Sequence, residues 1–167
     1  QLTVLANTAT DAGVGLHAAP YSFLETVRST DSGWQASTTF IDTGLSPNTQ
    51  YTYKVKAKDS LSNTSNYSSI VSKYTIANTP ASLSPVADSS SQITATWLAN
   101  SNPSGTEYYI ANTTNSTNSG WITATTWTSS SLTCGTPYTF TVKSKNGDGT
   151  ETATTTALAT TAVCPGA

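Results

Sequence analysis

The chain has 167 residues, 36 % of them hydrophobic and 10 % charged, and a formal net charge of −2 at pH 7. Ser and Thr make up about a third of it, so it is polar without being ionic. This balance gives no broad positive field for nucleic acid or an anionic membrane, and no apolar run approaches the roughly 18 to 20 residues that would insert into a bilayer. Met is absent, His17 is the single histidine, and Cys134 and Cys164 are the only cysteines. That leaves almost no material for a metal centre or a Cys/His catalytic constellation, so the expectation is a non-enzymatic chain with no cofactor and no metal. It opens on neither Met nor a basic, apolar leader, as expected of a mature product or an excised piece.

In chain order, Gln1-Leu2-Thr3-Val4-Leu5-Ala6 is a short alternating stretch that reads as a strand. His17 follows in a Gly/Ala-rich loop over residues 13–20, where the lack of a second His favours a structural role. Gly13-Val14-Gly15 lacks the third glycine and the Lys of a phosphate loop. In Tyr51-Thr52-Tyr53-Lys54-Val55-Lys56-Ala57-Lys58 the strict period of two marks a half-buried strand with its lysines on the wet face. Pro80 forces Thr79 toward an extended conformation and ends the preceding pairing, which places a domain boundary near residue 78, between domains 1–77 and 78–167.

The second domain repeats the first. Ser32-Gly33-Trp34 recurs as Ser119-Gly120-Trp121, 87 positions on. The same offset carries Tyr21 onto Tyr108, Phe40 onto Trp127, Tyr51 onto Tyr138, Val55 onto Val142, Lys56 onto Lys143 and Lys58 onto Lys145 without a gap. Tyr138 to Lys145 alternates as its counterpart does, and Asn146-Gly147-Asp148-Gly149 supplies a hairpin turn. No stretch carries a 3.6-residue apolar period, so the chain is all-β.

Leu45-Ser46-Pro47-Asn48-Thr49-Gln50-Tyr51-Thr52-Tyr53-Lys54-Val55 resembles the stretch leading from strand E into strand F of fibronectin type III domains. The second copy follows the same pattern from Leu132 to Tyr138, departing only at Cys134. The resemblance implies two tandem Ig-like β-sandwiches in which Tyr51 and Tyr138 pack under the E to F crossing and bond back to the chain. Trp97 takes the strand B core position, and Phe40 and Trp127 complete the expected core. A hairpin turning at residues 146–149 brings the start of strand F opposite the end of strand G, where Cys134 and Cys164 are expected to form a disulfide and imply an oxidising compartment.

In the second copy strand A is assigned to about residues 80–86 and strand B to about 92–97. Residues 1–6 align with 92–97, so the first sandwich is expected to lack its own strand A. The other assignment, residues 2–5 as strand A and 14–17 as a short strand B, stays open. Loss of about three inward side chains, each worth roughly 1.5 to 3 kcal/mol, would leave the first domain marginal with an open edge. The expectation is an extracellular, cell-surface structural protein, a fibre subunit or tandem array whose partners are other copies of itself or flanking repeats, assembled head-to-tail by strand complementation. The alternative is an adhesin or a carbohydrate-binding or spacer module of a larger secreted protein.

Other residues are weighed against ordinary structural roles. Asp31, Asp42, Asp59, Asp88 and Asp148 fall in predicted turns, where Asx bonding accounts for them. Lys54, Lys56, Lys58, Lys143 and Lys145 form outward stripes that either recognise acidic glycans or simply solvate a sheet face. Trp34 and Trp121 are placed under the C to C′ turn, with sugar stacking as the other reading. Asn63, Asn66, Asn112 and Asn115 head sequons near predicted loops and are candidate glycosylation sites.

Overall fold

Alternate inward and outward side chains build the strands, most regularly at Ile93–Leu98, Glu107–Asn112 and Pro137–Lys145. The protein is described here by a computed structural model covering residues 1–166, in which the described residues form strands and turns but no helix. They divide into two units, Gln1–Thr75 and Ile76–Ala167.

Unit 1 holds β1 (Leu2–Leu5), β2 (Leu16–Glu25), β3 (Thr30–Gln35), β4 (Thr39–Asp42), β5 (Gln50–Asp59) and β6 (Val71–Tyr74). One sheet has the order β3-β2-β5-β6, and β1 pairs with β4 in a second layer. Tyr21 and Phe23 on β2 and Tyr51 and Tyr53 on β5 supply its buried aromatic side chains, while Phe40 on β4 is partly buried and stacks on Phe23 with centroids 5.7 Å apart. His17 lies within β2 rather than in a loop, because the strand starts at Leu16 and bulges before Tyr21. Its Nδ1 accepts the Ala19 N–H at 3.0 Å, a local structural bond.

Unit 2 holds β7 (Ala81–Ala87), β8 (Ile93–Leu98), β9 (Glu107–Asn112), β10 (Thr117–Ile122), β11 (Thr126–Ser129), β12 (Pro137–Lys145) and β13 (Thr155–Thr160). Its sheets are ordered β11-β8-β7 and β10-β9-β12-β13. Ile93, Ala95 and Trp97 from β8 meet Tyr108, Ile110, Phe140 and Val142 from the facing sheet. Trp127 is partly buried against this core, edge-on to Phe140 at 6.4 Å. Cys134 and Cys164 form a disulfide across 30 residues, with Cα atoms 5.0 Å apart.

Both expected tyrosine corners form. The Tyr51 hydroxyl accepts the Ser46 N–H at 3.0 Å, and the Tyr138 hydroxyl accepts the Thr133 N–H at 2.8 Å. Each closes the crossing between the sheets from below with a buried ring.

The two units differ beside the turn after the second sheet strand. In unit 1, Glu25 is fully buried and accepts the N–H groups of Val27 at 2.6 Å and Arg28 at 2.7 Å. Arg28 bridges Glu25 and Asp42, and the Tyr53 hydroxyl donates to Asp42 at 2.9 Å. Asp42 is therefore a buried member of an ionic network and not a turn residue, because it closes β4 with its side chain turned inward. The hydrogen bond to Asp42 holds the Arg28 guanidinium more firmly protonated, and burial followed by the Asp42 contact pushes the Tyr53 hydroxyl upward. Unit 2 carries Asn112, Asn115, Ser129 and Phe140 at the matching positions, and there the Asn112 amide donates to Ser129 at 3.2 Å.

These differences set opposite expectations for two variants. Arg28→Ala leaves two buried carboxylates facing each other and should cost about 3 kcal/mol in urea unfolding. Replacing Glu25, Arg28, Asp42 and Tyr53 by the unit 2 residues Asn, Asn, Ser and Phe should be near neutral or stabilising in the same assay.

Candidate functional site

The repeated Ser-Gly-Trp motif forms a sheet bulge that aims its Trp. The β2–β3 register shifts between Ser22 and Leu24, and the Phe23 N–H donates to Ser32 Oγ at 2.9 Å instead of to a strand carbonyl. Ser32 then donates to its neighbour's carbonyl, Gly33 O, at 2.7 Å. Unit 2 repeats this arrangement, with the Ile110 N–H on Ser119 Oγ at 3.2 Å and Ser119 on Gly120 O at 2.6 Å. Gly33 and Gly120 adopt φ of 68° and 64°, a conformation open to glycine at no steric cost.

The bulge delivers Trp34 and Trp121 onto the outer face of the four-stranded sheets, over lysines, and not under the adjoining turn. Lys56 and Lys58 lie 5.4 and 4.6 Å from the Trp34 centroid. Tyr67, from the segment beside β5, takes Lys54 at 4.3 Å and Lys56 at 5.0 Å. In unit 2, Lys143 and Lys145 lie 5.7 and 4.4 Å from Trp121, and Tyr109 packs on the same ring. Each ammonium gains from the negative ring face while its alkyl stem covers apolar surface.

The second feature is the edge of β1. Leu2, Thr3, Val4 and Leu5 pair with Asp42, Ile41, Phe40 and Thr39. Ile93, Thr94, Ala95 and Thr96 pair with Ser129, Thr128, Trp127 and Thr126 in the same register. β1 is therefore the counterpart of β8, which decides between the two assignments of residues 2–5 in favour of strand B. In unit 2 the other edge of β8 carries β7, which turns Leu83 into the core. Among the described residues no strand lies along that edge of β1. A cavity of about 330 Å³ opens there, lined by Val4, Ala6, Phe23, Tyr53, Val55 and Val71. Ala6 stands where unit 2 has Trp97, which enlarges the gap.

The sequons separate by burial. Asn63, Asn66 and Asn115 are exposed. Asn63 donates its amide to Asp59 at 2.8 Å, a bond that holds the Asp59 carboxyl below its ordinary range. Asn112 is corrected as a glycosylation candidate. It falls on the inward phase of β9 and is completely buried, its oxygen accepting the Thr114 N–H at 3.2 Å. The ionic network and Tyr67 are the parts of these surfaces that sequence reasoning missed. The signal for the network lay in the repeat itself, where Glu25 aligns with Asn112 and Asp42 with Ser129.

No family model matches the chain. It is 36 % identical over 131 residues to chitinase A1 of Niallia circulans, a match covering 72 % of this chain and 18 % of the enzyme. It is 30 % identical over 141 residues to exoglucanase B of Cellulomonas fimi, covering 76 % of this chain and 13 % of that enzyme. The chain thus spans under a fifth of either relative. Among solved structures it resembles the two-domain fibronectin type III segment of chicken tenascin, with a TM-score of 0.56, 17 % identity and coverage of 94 % of this chain and 88 % of that one.

The bulge geometry is open to a direct check. Gly33→Ala forces an L-residue into the left-handed region and should cost about 1 to 2 kcal/mol in urea unfolding, with Trp34 emission shifting as the ring leaves its lysines.

Proposed function

We propose that this chain, a tandem pair of fibronectin type III-like domains, is a non-catalytic spacer module of a larger secreted protein that acts on polysaccharide. The observation that carries the reading is the pairing of one duplicated sandwich with relatives in which the matching stretch is a minor part of a long chitinase or exoglucanase. The Cys134–Cys164 disulfide fits an oxidising compartment, in keeping with an extracellular protein.

A second reading, a cell-surface fibre built head-to-tail from copies of this chain, is favoured by one feature, the edge of β1 along which no strand lies among the described residues. A strand from another copy would fill it as β7 fills the edge of β8. Sedimentation velocity on the purified chain, together with chitin and cellulose hydrolysis assays, separates the readings. The spacer reading expects a 17.4 kDa monomer at every concentration and no hydrolysis. Concentration-dependent growth into filaments would replace it with the fibre, and hydrolysis that follows the pure chain would overturn both.

A further inference from the structure

The lysine ladders of the two units are built alike but are charged differently. In unit 2, Lys143 Nζ meets Glu151 at 2.5 Å and Lys145 Nζ meets Glu107 at 2.9 Å. At the matching positions unit 1 carries Thr64 and Pro20, and it adds Lys54 where unit 2 has Thr141. Among the described residues no carboxylate lies within ion-pair distance of Lys54, Lys56 or Lys58. Asp31 shares their sheet face, through its pairing with Leu24 opposite Lys54, but its carboxylate is occupied by Ser22 Oγ at 3.2 Å and the Gly33 N–H at 2.7 Å. Three of the chain's seven Lys and Arg residues thus stand side by side on a molecule whose net charge is −2.

The rings arrange these charges. Along β5 the order is Lys54, Tyr67, Lys56, Trp34, Lys58, with each ring shared by two neighbouring ammonium groups. Alternate residues of a strand lie about 6.8 Å apart, so the ammoniums form a straight row held at a fixed pitch. Holding long lysine side chains in place before binding removes part of the entropy that contact with a partner would otherwise cost. Trp34 and Tyr67 each remain 36 % exposed, leaving amphipathic ring edges between the charges. A row of this kind matches a linear polyanion with regularly spaced carboxylates and apolar ring faces between them. Nucleic acid would call for a wide basic footprint, which this acidic chain lacks.

We propose that the outer face of unit 1, centred on Lys54, Lys56, Lys58, Trp34 and Tyr67, is a binding site for an acidic, uronate-bearing polysaccharide. The unit 2 ladder serves as the internal control, since its lysines are already neutralised by glutamates. The site lies outside the spacer role, and its test is independent of whether the chain belongs to a larger enzyme.

Affinity electrophoresis and titration of the full chain with alginate test the assignment. The wild-type chain should be retarded, and retardation should fall as salt is raised, with the modest slope that about three charge contacts give. Lys54→Gln/Lys56→Gln/Lys58→Gln should weaken binding about tenfold or more, whereas Lys143→Gln/Lys145→Gln should leave it within about twofold. Circular dichroism melts confirm that both variants fold, and Trp34→Phe offers a milder second variant expected to weaken binding about threefold. Absence of alginate binding by the wild type, equal binding by the triple variant, or equal retardation by a neutral glucan would each overturn the proposal. Binding to single-stranded DNA as tight as to alginate would also overturn it, by showing a generic polyanion surface.

Discussion

The structure of unit 1 depends on one short ladder, the four residue pairs that join β1 to β4. A sandwich needs two layers to hide the apolar face of its main sheet, and among the described residues the second layer of unit 1 is this ladder. Its burial pattern shows the consequence. No residue of β1 is fully buried, whereas β8, in the same register, buries Ile93, Ala95 and Trp97 under the added cover of β7. Phe23 and Tyr53 stay shielded because Phe40 reaches across from β4, but Val4 and Val55 are left in a lined cavity.

The same chain therefore presents two solutions to one packing problem. Unit 2 closes its core with a third strand, a buried Trp and a disulfide that joins the loop before β12 to the segment after β13. Unit 1 has none of these within the described residues and relies instead on an ionic cluster of Glu25, Arg28, Asp42 and Tyr53 at the place where unit 2 has a neutral Asn–Ser pair. Buried ion pairs are weak sources of stability compared with apolar packing, so this exchange does not make up for the thinner layer. The outer faces diverge in the opposite sense. Unit 2 spends its glutamates on neutralising its lysines, and unit 1 leaves its row of cations open.

Much of this could be read directly from the residues. Period two in Tyr51 to Lys58 and Tyr138 to Lys145 gave β5 and β12 and assigned the lysines to the wet face, because strand geometry admits no other placement for alternate side chains. The alignment of residues 1–6 with 92–97 pointed to a strand B for β1 but left strand A open, and the register of β1 on β4, the same as that of β8 on β11, decides it. The disulfide followed from the turn at Asn146 to Gly149, where Asn146 Oδ1 accepts the Thr150 N–H at 2.7 Å and fixes the hairpin. Other features depended on tertiary surroundings. Asn112 looks like a sequon in a loop, yet one residue of strand phase turns it inward to cap a turn. Asp42 looks like a turn former for the same reason. The duplication of Trp34 and Trp121 in both copies points to packing under a turn, whereas the serine-filled bulge sets both rings over the lysines of the outer sheet face.

Hydrogen exchange resolved by residue tests most directly whether the thin layer of unit 1 limits its stability. Amides of β1 should exchange about 100-fold faster than those of β8 under identical conditions, since β1 opens without breaching a third strand. Protection of β1 equal to that of β8 in the isolated chain would contradict the account, because the ladder to β4 alone would then suffice to hold the layer shut.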